Sequence, residues 1–530
     1  MIALALVVLA GCALFSLWPV LFAPITADDR YWLIDTPARF DGSYLNVITG
    51  TWGDTPEFLT RGRLAPIGRL VRRLLLLATF DFSHLTSSSV IAFTGMSKLL
   101  LLAAGVGCCL AFVKALRWRS ADGELVAVGR ASLTVTAVAM VGMIGAGVLA
   151  HSQFRNGWVS YPSLTYTTIS IVFGSAALAV TAARRIADEK RGAIALGLLV
   201  AIGLAVILNW FYELNYVGLP LSLFALFAFP LARSSRKAHE RRGRLVVGGG
   251  LAISWLALFA LTRVLVSNAC IGDDCYAGAT LSLGPQVIGT VWNNLLSSLP
   301  GTSGNQFLVD LESLDSGYLW NDSTPGQLWI VSFALGAAVW LAWRWASARW
   351  PRSAEETKNE ARLLGLAALG AVVVWVGAAL VMSLSAQAQE LIHSVGLPYR
   401  QAALAWVSLS LGIALAVRAI ELSVPSKGGF VAVTALASLI VVASVVTLPR
   451  NLVSAQAYRN APANQAIAEV HWEIVAGDLN PGGDERRCQS FENAEAAISS
   501  PWLTDRLEPT ADEVFRSINR VPFCTTWSRR

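Results

Sequence analysis

Charge is what this sequence has least of. Only 14% of its 530 residues are Asp, Glu, Lys or Arg, against roughly a quarter in soluble domains. With 55% hydrophobic residues and a mean hydropathy of +0.54, the chain cannot cover its apolar surface with solvated groups, which excludes a soluble globular protein. The five histidines show no zinc-ligand spacing, and no glycine-rich phosphate loop occurs, so neither a metal centre nor P-loop chemistry is expected. No reliable repeat is present: "VGLP" recurs at 217–220 and 395–398, as chance allows in so apolar a chain. No basic residue precedes "LAGC" at 9–12, and the apolar run continues to Ala23. That segment therefore reads as a membrane helix rather than a lipoprotein signal.

Apolar stretches near twenty residues long fill most of the chain, each enough to cross about 30 Å of hydrocarbon. Backbone in lipid must satisfy itself, so these are helices. The pattern predicts an all-α polytopic membrane protein with about eleven transmembrane helices, near 1–23, 88–114, 131–150, 166–183, 192–210, 217–232, 245–266, 328–346, 363–384, 401–419 and 430–448. Alternate connectors such as "RSSRKAHERRGR" hold most of the basic residues. By the positive-inside rule they are cytoplasmic, with the N-terminus inside and everything after about residue 450 outside. The net charge of +6 reflects this orientation signal, so no nucleic-acid partner is expected.

The domain plan follows: a transmembrane domain over 1–449 and a small extracytoplasmic domain over 450–530. Two long outer loops, 24–87 and 267–327, leave room for function. Cys270 and Cys275 share the second of these, and Cys488 and Cys524 share the tail, as two disulfides would in an oxidising compartment. In "RGRLAPIGRLVRRLLLLATF", Arg69, Arg72 and Arg73 fall on one stripe of a juxtamembrane helix, whose basic face would lie toward lipid headgroups. Snorkelling alone would also account for such a face. "GPQVIGTVWNNLLSSL" reads as a second short interfacial helix, and the tail opens with a helix through "SAQAYRNAPANQAIAEVHWEIVAG".

Candidate chemistry begins at "PITADDRYW", residues 24–32, where Asp28 and Asp29 follow the first span directly. A carboxylate there can be tuned as a general base by burial and neighbouring cations. Adjacent side chains point apart, so one is expected to face a reaction and the other to hold structure or a cation. Lys98, Arg263 and Glu213 lie in the outer parts of spans or in a short outer turn, at depths where ionisable groups face a cavity or a partner. Arg155, Trp158 and Tyr161 in "RNGWVSYP", with His393, Tyr399 and Arg400 in "HSVGLPYR", sit on outer loops as acceptor-groove residues or as interface anchors. The sequence specifies no cofactor. A divalent cation has one candidate, Asp273 and Asp274 in "CIGDDC", which reads better as a disulfide-closed loop.

An acidic pair after the first span, an outer loop with an amphipathic helix and "GR" elements, and about eleven spans resemble the GT-C superfamily of polyprenyl-phosphate-sugar glycosyltransferases. "DDRYW" followed by "RGRLAPIGRL" looks most like the bacterial serotype-converting glucosyltransferases, with specific residues matching only over about 26–73. The resemblance implies an inverting transfer on the outer face of the plasma membrane, from a polyprenyl-phosphate sugar to a cell-envelope glycan or glycolipid. It implies Asp28 or Asp29 as base, with Arg61, Arg63, Arg69, Arg72 and Arg73 near the donor phosphate. Lys98 and Arg263 join that set by position alone. The rival readings are a lipid or polysaccharide transporter or flippase, and an O-antigen-type ligase or polymerase.

Overall fold

The computed structural model describes the chain apart from residues 1, 24–25, 87–89, 120–124, 149–156, 160, 189–191, 229–236, 271–274, 276–279, 301–324, 350–353, 393–394, 396–399, 425, 499–500 and 526–530. Helices carry nearly all of it. In chain order they are α1 (Ile2–Leu21), α2 (Ala27–Arg39), α3 (Tyr44–Gly53), α4 (Thr55–Thr60), α5 (Pro66–Thr86) and α6 (Val90–Ala115). A small antiparallel hairpin of β1 (Arg117–Arg119) and β2 (Leu125–Ala127) leads into α7 (Arg130–Gly147), α8 (Pro162–Ala187) and α9 (Ala193–Trp210). A 3-10 turn (Glu213–Val217) precedes α10 (Gly218–Phe227), α11 (Lys237–Ala269), α12 (Gln286–Ser297), α13 (Pro325–Arg349) and α14 (Ala354–Ser383). The rest are α15 (Ala386–Leu391), α16 (Ala402–Ser423), α17 (Ser426–Asn460), α18 (Pro462–Ala476), α19 (Pro481–Ala497) and α20 (Pro501–Asn519).

Among the described residues ten helices are long and apolar enough to cross a membrane: α1, α6, α7, α8, α9, α11, α13, α14, α16 and α17. The chain is an all-α, multi-pass membrane protein. Of the spans expected from sequence, the one at 217–232 is described as the 3-10 turn and α10, an apolar helical stretch over Glu213–Phe227, and its last residues, 229–232, lie outside the described residues. Connectivity alternates the bundle's two ends. The hairpin end carries β1 and β2; the α2 end carries α2 to α5, α12, α15 and α18 to α20.

One large apolar core runs through the bundle, with α14 packed along α16, α6 along α8 and α13 along α17. A second core lies at the α2 end. Tyr31, Leu33 and Ile34 of α2 and Phe80 of α5 pack there with Ile467, Val470 and Ile474 of α18 and Phe515 of α20. The tail thus shares its core with the first outer segment. Both expected disulfides, Cys270–Cys275 and Cys488–Cys524, are formed. The long helix α17 runs straight through the expected boundary at 449/450 before breaking at Pro462.

Side chains close helix ends that lipid cannot satisfy. At the end of α7, the Trp406 indole donates to the Met143 carbonyl at 3.1 Å, the Thr447 hydroxyl donates to the Ala146 carbonyl, and the Asn451 amide donates to the Val148 carbonyl at 2.7 Å. These bonds fix the root of the segment that leads to Tyr161. The interfacial helix α12 docks through Asn294, whose amide donates to the Ser383 hydroxyl at 2.8 Å and whose carbonyl accepts from Gln401, next to Arg400.

Candidate functional site at the α2 end of the bundle

Thr26 starts α2 as its N-cap, accepting from the Asp29 backbone N–H at 3.4 Å while its hydroxyl donates to the Asp29 carboxylate at 3.4 Å. An acid at the third helical position completes a reciprocal cap and favours the positive helix N-terminus. The same carboxylate reaches outward. Its Oδ1 accepts from Arg72 Nη2 of α5 at 3.0 Å, and its Oδ2 accepts the Tyr161 backbone N–H at 2.9 Å. Asp29 is buried, 4% exposed, and both oxygens are engaged.

Two close backbone approaches bring these partners in. Gly68 lies so near the Phe211 carbonyl that a Cβ there would sit 1.9 Å from its oxygen, which lets α5 cross the end of α9. At Gly157 a Cβ would sit 2.4 Å from the Arg400 carbonyl oxygen, so this loop rests on Arg400. Tyr161 has φ +53°, a left-handed conformation that costs a bulky aromatic about 1–3 kcal/mol. Its ring lies beneath two guanidiniums, Arg72 at 4.8 Å and Arg400 at 5.2 Å, while Arg72 also lies over Trp32 at 5.4 Å. The N–H bond to Asp29 and the paired cation–π contacts hold the strained residue in place.

Lys98 is fully buried beside this cluster, with its ammonium donating to the Val20 carbonyl at the end of α1 at 3.4 Å and feeling the Asp29 charge. A cation at a helix C-terminus is stabilising there. The structure thereby unites Asp29, Arg72, Lys98, Tyr161 and Arg400. Trp158 lies beneath, fully buried edge-on to Tyr166, whose hydroxyl donates to the Trp158 carbonyl at 2.9 Å.

The other arginines of α5 turn away from Asp29. Arg73 pairs with Asp54 at 2.9 Å, donates to the Thr51 hydroxyl at 3.0 Å and lies over Phe40 at 4.8 Å. Arg69 lies over Phe58 at 3.8 Å and donates to the Thr55 hydroxyl at 3.4 Å. Burial pushes the Arg69 guanidinium down to about 10, with Arg73 adding to the effect. The expectation that this face lies toward headgroups is corrected here: α3 and α4 fold over it because they supply Asp54, Thr51 and Phe58. Outward-facing apolar residues belong instead to α3, where Leu45, Ile48 and Trp52 are exposed along one stripe. Arg61 pairs with Glu57 at 2.8 Å in the open, and Arg63 is half-buried nearby. Arg263 lies over Phe259 at 5.4 Å in a separate cluster, where it and Glu213 act on Tyr216.

Arg155, His393 and Tyr399 lie outside the described residues, as do Asp273 and Asp274 and the side chain of Asp28. Sequence reasoning missed Thr26, Asp54 and Phe58. For Thr26 a signal existed, the T-x-x-D spacing of "TADD". It also assigned no role to Arg30 or to His471 of the tail.

Compared with protein-family models, with curated proteins and with solved structures, the chain matches none of them.

Proposed function

We propose that this protein is an integral membrane glycosyltransferase that moves a sugar from a polyprenyl-phosphate donor to a cell-envelope glycan or glycolipid. The observation that carries the reading is the convergence of α2 and α5 with the Tyr161 and Arg400 segments at one end of the bundle. It joins a carboxylate, three cations and a strained aromatic directly beside lipid-facing helices. A phosphosugar on a polyprenyl chain needs such a meeting of polar site and hydrocarbon. Charge placement favours transfer over transport: among the described residues, Arg184, Arg263, Arg344, Glu360 and Arg418 lie near the ends of their spanning helices, and Lys98, a third of the way along α6, lies level with the end of α1 at Val20. A transporter would hold such groups at midplane.

Asp29 is bonded on both oxygens, which suits an anchor better than a base. The base is then Asp28. In this mechanism the acceptor hydroxyl oxygen attacks the anomeric carbon while Asp28 takes its proton. The bond from that carbon to the phosphate oxygen breaks, and its electron pair leaves with polyprenyl phosphate, inverting the configuration. Cations at the α2 end stabilise the growing phosphate charge. The asymmetry of basic connectors supports placing the α2 end outside, and the family resemblance supports a bacterial plasma membrane.

The test is transfer by purified protein across a panel of polyprenyl-phosphate sugars, followed by release of polyprenyl phosphate. Turnover with one member of the panel is expected; a complete lack of turnover and of donor binding contradicts the reading.

A further inference from the structure

Among the described residues, none supplies a counter-charge to Arg30 or His471. Arg30 follows Asp29 on α2 but faces the tail side, 7% exposed; His471 of α18 is 4% exposed and packs edge-on to Phe80 of α5 at 5.8 Å. Arg30 Nε and His471 Nε2 are both buried without a hydrogen-bond partner. On α2, α5 and α18 the described carboxylates have other partners, Glu473 through one oxygen only, and on α20, which also packs on α2, Asp505, Glu508 and Glu513 are exposed while Asp512 accepts from Arg516. Asp29 binds Arg72, Asp35 accepts from Tyr31 at 3.1 Å, Asp81 accepts from Tyr44 at 2.8 Å, Glu469 accepts from Asn493 at 3.1 Å, and Glu473 lies 3.6 Å from Arg486. Burial and the Arg30 charge together push the His471 imidazole down to about 3. Burial alone pushes the Arg30 guanidinium down to about 10.

A buried cation without an anion is among the most costly arrangements a protein can hold, and a buried imidazole nitrogen without a partner adds to the cost. Such a pair persists where an anion neutralises it in the working state. We propose that Arg30 and His471 form a binding site for a phosphate group, built jointly by the first outer segment and the tail. An arginine fork with an imidazole N–H matches the oxygens of a phosphate. Arg30 lies nine residues beyond the end of α1 at Leu21, a short step from the membrane surface where lipid phosphates concentrate. The tail helix α18 would then complete a ligand site as well as pack a core.

The proposal does not depend on glycosyl transfer, because it concerns binding alone. Its test uses the full-length protein in maltoside micelles, which carry no phosphate. The thermal unfolding midpoint is followed against inorganic phosphate, a polyprenyl phosphate and the matching uncharged polyprenol. Polyprenyl phosphate should raise the midpoint and polyprenol should not; an equal response to inorganic phosphate would assign a soluble phosphate, and a response to the lipid alone a lipid-borne one. Arg30→Met should weaken the phosphate response at least tenfold while raising the midpoint of the ligand-free protein, since it removes an unpaired buried charge. A purely structural arginine would lower it. His471→Leu should weaken the response too, and Arg30→Lys, which keeps the charge and loses the fork, serves if the methionine variant does not fold. Absence of any phosphate response, or a response unchanged in these variants, overturns the proposal. Phosphate binding without transfer would leave it standing while the transferase reading fell.

Discussion

Asp29 and Arg30 are neighbours on one turn of α2, and their surroundings differ completely. Asp29 faces the bundle, where Arg72, the Tyr161 N–H and Thr26 satisfy it. Arg30 faces the tail, where, among the described residues, it meets an imidazole and no acid. One side of the helix is electrostatically complete and the other is not. A completed group organises the site around it; an incomplete one implies a ligand. The contrast predicts that perturbing Asp29 costs stability, whereas perturbing Arg30 alters binding.

The largest expected effect comes from breaking the complete side. Asp29→Ala leaves the Arg72 guanidinium and the Tyr161 N–H without their acceptor, at a cost of about 3 to 4 kcal/mol. Chemical or thermal unfolding in detergent measures it, and a loss under about 1 kcal/mol would show that the pair organises nothing. Adding Arg72→Met in the same background should recover part of the loss, because the orphaned cation goes too.

Opening the Cys488–Cys524 bridge, which spans 36 residues, should cost about 4 kcal/mol at most by the chain-entropy argument. The α18 face, held to α2 by the second core, is expected to keep its hydrogen-exchange protection while α19 and the chain end lose theirs. Equal loss across α18 would mean that the bridge, rather than the core, seats His471.

Acidification tests the incomplete side. His471 is held near 3 in the fold against an ordinary value of 6.5, so the unfolded chain takes up a proton that the folded chain refuses. The penalty is absent above pH 6.5, grows as pH falls from there and levels off below about 3. By pH 5 it should reach about 2 kcal/mol, from about 1.4 kcal/mol per unit. His471→Leu should flatten this slope in the ligand-free protein, and an unchanged slope would place its origin elsewhere.

The smallest effect is expected at Arg61. Its pair with Glu57 is exposed, so Arg61→Ala should change stability by less than about 1 kcal/mol. A larger loss would mean that the α4 turn depends on this surface pair.

Much of the architecture was legible in the sequence, because hydrophobic length and basic connectors follow directly from lipid physics. The expected span at 217–232 is described only in part, as the 3-10 turn and α10. Arg72 could be paired with an acid only in outline: periodicity placed Arg69, Arg72 and Arg73 on one stripe, but α3 and α4 supplied Asp54 and Phe58 from outside that helix. Tyr161 was noticed as an aromatic on an outer loop, while its left-handed backbone and its place beneath Arg72 and Arg400 depend on contacts far apart in sequence. Arg30 and His471 were invisible as a pair because 441 positions separate them. Only the shared core of α2, α5 and α18 brings them together.

The most direct test of the central claim compares Asp28→Asn with Asp29→Asn in a transfer assay, with each rate normalised to folded protein. The account predicts that Asp28→Asn abolishes transfer with the unfolding midpoint unchanged, and that Asp29→Asn lowers the midpoint and impairs transfer less. Transfer near the wild-type rate in Asp28→Asn, or in the double variant, would contradict it.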